Sequence, residues 1–110
     1  MANIDVQQIL PEMITAAKGV LGKKWPVIKD YAEAELEKLA RTLTQIEALK
    51  LSGQISDAEA SVLFEMQKNT TRAVMLTLKG MSLLIVEGAI NAALAAVKDT
   101  INTALGFALL

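Results

Sequence analysis

Glu87 is the residue that most invites a chemical role, because the seven positions before it and the ten after it carry no charge. Burial would penalise its ionised form, so it would need a donor: Asn91 one turn on, Lys79, Lys98 or a group on another chain. In a lipid or pore setting such a carboxylate is a proton or cation site. At a helix interface or facing water it is structural, and that is the preferred reading.

Other clusters are weaker. Asp30, Glu33, Glu35 and Glu37 form an acidic run, but carboxylate-bridged metal sites in helical bundles also use a Glu-x-x-His pair, and the chain has no histidine. A solvated face is expected there. Lys18-Gly19-Val20-Leu21-Gly22-Lys23-Lys24-Trp25 puts three lysines and a tryptophan around Gly-x-x-Gly. A Walker A loop needs four residues between its glycines and a hydroxyl residue after the lysine, so this is not one. An RNA-clamping glycine loop would need a mixed α/β domain. What remains is a turn with Trp25 in the core, or a contact with an anionic membrane surface. Asn69-Thr70-Thr71 has the glycosylation pattern but falls mid-helix and is discounted. Met13, Met66, Met75 and Met81 occupy or adjoin apolar faces, where a thioether fills gaps or lines an adaptable groove.

Composition removes much of the rest. With no cysteine and no histidine among 110 residues, disulfides, imidazole or thiolate metal sites and histidine-based triads are excluded. The serines and threonines have no base partner. Eleven basic against twelve acidic residues give a net charge of −1, which supplies no general field for nucleic acid. The chain is expected to be non-enzymatic, with no cofactor, no metal, no nucleic-acid partner and no evident small-molecule substrate. Asp5 and Glu12 interrupt the only N-terminal stretch that resembles a signal's apolar region. A cytoplasmic location is therefore expected, with membrane association under the alternative below.

The elements that must position these residues are helices. The fold class is all-α: an antiparallel hairpin or bundle of three to four helices with a long, highly apolar C-terminal helix, in one domain over 1–110. Apolar residues from Val6 to Leu21 recur every three or four positions, which predicts a helix over about 5–22, broken near Pro11. Gly22 and Trp25-Pro26 mark a turn. A second helix over about 26–51 carries Ala32, Leu36, Leu39, Leu43 and Ile46 at alternating spacings of four and three, a heptad-like seam. Glu35 with Lys38, Glu37 with Arg41, and Glu47 with Lys50 are expected as solvent-side pairs. Ser56-Asp57-Ala58-Glu59 is a capping box that starts a third helix. The short connection implies an antiparallel hairpin, with Val62, Leu63, Met66, Ala73 and Val74 facing the seam.

Beyond Arg72 the polar face thins: Gly80 to Val97 holds Glu87 as its only charge. No proline follows Pro26, so the third helix is expected to run over 57–110, although Gly80, Gly88, Gly106 or Lys98-Asp99-Thr100 could kink or stop it, a break near 98–100 being the option retained. Ile90-Asn91-Ala92-Ala93-Leu94 returns eleven residues later as Ile101-Asn102-Thr103-Ala104-Leu105, a period that keeps one face aligned along a helix. Such a segment carries more apolar surface than the N-terminal helix alone is expected to cover. The expected function is a structural or interaction module that self-associates as a homo-oligomer through this C-terminal half. Met81, Leu84, Ile85, Gly88, Ala92, Ala96, Ile101 and Leu105 form the interface, and Glu87, Asn91 and Asn102 are the buried polar candidates. The alternative is a membrane-inserting or pore-forming protein with residues 73–110 in lipid, since 18 residues with one carboxylate approach the roughly 20 that span a bilayer.

Overall fold

The computed structural model describes residues 4–110 and contains four α-helices, with no strand among them. Helix α1 spans Val6–Leu21, α2 Trp25–Leu51, α3 Asp57–Leu76 and α4 Leu83–Leu105, and a single 3-10 turn at Gly22–Lys24 links the first two. The molecule measures 42 × 22 × 19 Å. At 1.5 Å per residue α2 is about 40 Å long, so it runs the full length of the bundle as its spine.

Asp5 starts α1 by accepting the Gln7 N–H at 2.9 Å on its carboxylate. Pro11 does not break the helix, contrary to expectation. Its missing N–H costs one backbone hydrogen bond and its ring lies on the exposed side. The inner row Ile9, Met13, Ala17 and Leu21 continues past it, fully buried. Gly22 closes α1 at φ +54°, donating its N–H to the Lys18 carbonyl. Trp25 opens α2 and is buried, and Pro26 occupies the first turn, where a missing donor costs nothing.

The α2 seam behaves as its spacing predicts: Ala32, Leu36, Leu39, Leu43 and Ile46 are all buried. The capping box is also present. Glu59 N–H donates to Ser56 Oγ at 3.1 Å, and Ser56 N–H to Glu59 Oε1 at 3.0 Å. An ion pair of 2.7 Å between Lys50 Nζ and Asp57 Oδ1 closes the antiparallel α2–α3 hairpin.

The single helix expected over 57–110 is instead two, and the break falls at Thr77–Ser82, around Gly80, one of the possible stops, rather than near 98–100. Thr77 turns back on the end of α3, its hydroxyl donating to the Val74 carbonyl at 2.6 Å. Gly80 takes the left-handed φ of +79° that the turn needs. Ser82 then caps α4 by accepting the Ile85 N–H. Lys98-Asp99-Thr100 passes through α4 undisturbed, and the helix ends at Gly106, again with positive φ. Beyond it the chain folds back, so that Asn102 and the Leu110 backbone exchange two hydrogen bonds of 3.0 and 3.2 Å.

Helices α1 and α4, the first and last, form the most extensive packing in the bundle, and α2 with α3 the next. The buried face of α4 comprises Val86, Ala89, Ile90, Ala93, Leu94, Val97, Ile101 and Leu105. Much of the apolar surface that called for a partner is thus covered by α1 and α2 of the same chain. No helix among the described residues is long and apolar enough to cross a membrane.

Candidate functional site

The expected interface residues do not share one surface. Ile101 and Leu105 lie in the core. Met81 and Ile85 are half-buried against it, and Ala92 is also half-buried. Gly88 faces α1, where a Cβ would lie 3.3 Å from Val20 Cγ1. Ala96 is exposed, and Leu84, at 83% exposure, is the most open of the ten large apolar side chains that are exposed among the described residues. Of the small residues of α4, Gly88 thus lies against α1, and Ala89 and Ala93 are buried inside the chain.

None of the three buried polar candidates is fully buried. The Glu87 side chain is 46% exposed and sits 3.5 Å from Arg72 Nε, tying α4 to α3. Its partner is none of Asn91, Lys79 and Lys98, because the break at Thr77–Ser82 folds Arg72 of the preceding helix beside it. Arg72 also donates from Nη1 to Asn69 Oδ1 at 2.9 Å. Asn91 faces solvent. Asn102 is half-buried and satisfied by the Leu110 backbone.

The carboxylates that are buried belong to α2. Glu47, 5% exposed, accepts the Ile4 N–H on Oε1 at 2.7 Å, fastening the start of the described chain to the far end of the spine. It is not in a solvent-side pair with Lys50, which turns to Asp57 instead. Glu35 is 4% exposed rather than part of a solvated run, and its Oε2 pairs with Lys38 Nζ at 2.8 Å. Glu35 Oε1 and Glu47 Oε2 have no hydrogen-bond partner among the described residues. The Glu37–Arg41 pair forms as expected, at 3.2 Å. Among the described residues no three acidic side chains come together as a metal site.

The largest departure concerns α3. Val62, Leu63 and Met66 were expected to face the α2 seam, with Ala73 and Val74. Instead Ala60, Phe64, Thr71 and Met75 point inward and are buried. Val62 and Met66 are 59% and 61% exposed, and Leu63 and Leu76 are also open. Leu63 and Met66 edge a shallow groove between α2 and α3 that is floored by Ile46 and Leu49. Among the described residues, the outer face of α3 thus carries a row of apolar side chains that the bundle leaves uncovered. Its spacing was legible, but not its direction, since α3 carries an apolar row on each side. Compared with known proteins, the chain matches no family, no curated protein and no solved structure.

Proposed function

We propose that the chain is a non-enzymatic helical module whose role is self-association, with a second copy covering apolar surface that the bundle leaves open. The observation that carries this reading is the row of exposed apolar side chains on the outer face of α3, a helix whose inner face is already committed to the core. Exposed apolar rows of this kind mark sites of association more often than chance decoration of a surface. The reading shifts the contact from α4 to α3, because α1 and α2 account for α4. No helix among the described residues is long and apolar enough to cross a membrane, which favours a protein contact over the bilayer alternative. Sedimentation velocity with and without detergent tests the proposal. A defined species heavier than the 11.8 kDa chain, formed in buffer and unchanged by mild detergent, is the expected result. A folded monomer at all concentrations, or recovery only with liposomes, would overturn it.

A further inference from the structure

We infer that α3 pairs antiparallel with α3 of a second copy, about a two-fold axis passing between Lys68 and Asn69; this rests on the self-association proposed above and specifies its geometry. Val62, Met66, Asn69, Ala73 and Leu76 follow one another at spacings of four, three, four and three, the seam spacing of paired helices. At 3.6 residues per turn these five fall within a strip about 80° wide, directly opposite the buried Ala60, Phe64, Thr71 and Met75. All five are exposed. The row is about 21 Å long, whereas the other open apolar side chains, such as Val27 with Tyr31 or Leu83 with Leu84, make patches of a single turn.

Charge selects the partner and its direction. Glu65 and Arg72 lie on the same flank of the row, one near each end. In an antiparallel pair related by a two-fold axis, equal flanks meet. With the axis between residues 68 and 69, Glu65 stands opposite the partner's Arg72, and Arg72 opposite the partner's Glu65, so that Arg72 is shared between that carboxylate and Glu87 of its own chain, 3.5 Å away. The same axis sets Val62 between the partner's Ala73 and Leu76, and Met66 between its Asn69 and Ala73. Apolar layers and ion pairs therefore agree on one register. In a parallel pair the two-fold axis would run along the helices and opposite flanks would meet, so Glu65 and Arg72 would face uncharged positions such as Leu63 and Thr70 and form no ion pair. Asn69 is the polar member of the seam. Its amide group can donate to its copy near the axis while Oδ1 holds Arg72 of its own chain. One such residue in an apolar seam fixes register and orientation.

The chain contains no cysteine, so single cysteines report the geometry without a background. Asn69→Cys should be cross-linked to a covalent dimer by a short bismaleimide, because its two copies sit beside the axis. Val62→Cys should not, because its copies stand about 20 Å apart along the helix. Met66→Glu, at an exposed position, should leave the circular dichroism spectrum unchanged and abolish the dimer at concentrations where the parent chain is dimeric. A parent chain that sediments as a monomer would overturn both this pairing and the function it rests on. A dimer in which Asn69→Cys links no better than Val62→Cys, or which survives Met66→Glu, would overturn the α3 pairing alone and leave self-association standing.

Discussion

The close approach of α1 to α4 at Gly88 yields a graded prediction. Gly88 lies within α4, where alanine is favoured over glycine by about 0.8–1.0 kcal/mol. Against this stands the 3.3 Å contact that a new Cβ would make with Val20 Cγ1. Val20 is 45% exposed, so its methyl can give by a few tenths of an ångström at a cost below the about 0.5–1.5 kcal/mol of a 30° rotamer strain. Gly88→Ala is therefore expected to stabilise the bundle by about 0.5 kcal/mol, raising the midpoint of thermal unfolding by about 2–4 °C. Gly88→Leu adds three further carbons to a contact with room for one at most, and overpacking of this kind costs about 1–3 kcal/mol. Urea unfolding followed by circular dichroism measures both, and an unchanged slope identifies the change as one of stability. The sedimenting mass should not move with either variant. If Gly88→Leu left stability intact, α1 would not cover this stretch of α4. If it altered the mass without loss of stability, residues 88–96 would face another copy instead.

Two further predictions concern the polar contacts that define the ends of helices. Glu47→Ala should destabilise the chain by about 1.5–3 kcal/mol, the range for hydrogen bonds to a charged group, and should speed hydrogen exchange at the Ile4 amide that Glu47 holds at 2.7 Å. Glu47→Gln keeps an acceptor oxygen and should lose less; unchanged exchange in Glu47→Ala would refute the tether. Hydrogen bonds from the Ser56 backbone N–H and hydroxyl hold the Glu59 carboxyl below its ordinary pKa of 4.5. Its contribution is accordingly complete above pH 4.5 and fades as pH falls through the depressed value. Glu59→Gln should remove part of the loss of stability that sets in as pH falls below 4.5, and an unaltered profile would refute the capping argument. Ser56→Ala should cost about 1 kcal/mol at neutral pH.

The spacing of apolar residues was sufficient to read α2, its seam and the all-α class, and Ser56 and Glu59 located the start of α3 to the residue. At the turn Thr77–Ser82, Gly80 marked a possible stop but did not stand out from Gly88, Gly106 and Lys98-Asp99-Thr100. The turn contains no proline, and its cause is a combination of the Thr77 hydroxyl on the Val74 carbonyl, Gly80 and the Ser82 cap, each of which is compatible with a continuous helix when taken alone. From that one misplaced boundary came the excess length assigned to an apolar C-terminal helix and the wrong partner for Glu87. Periodicity also cannot rank two faces. On α3 the inward choice went to Phe64 and Met75, so Val62 and Met66 were left outside. Glu35 and Glu47 look like solvent-facing charges in a helical wheel. Glu47 lies in the interior where the Ile4 N–H reaches its carboxylate, a placement set by tertiary packing.

The pairing of α1 with α4 brings together the two ends of the described chain, and this bears on its synthesis. Between the emergence of Leu21 and that of Leu83 the ribosome must add 62 residues, about 3–12 s of translation. During that interval Ile9, Met13, Ala17 and Leu21 have no α4 to rest on, while the α2–α3 hairpin can already close on itself. The nascent polypeptide thus passes through a stage in which a finished hairpin carries an unsheltered greasy helix at its front, the form a chaperone would meet.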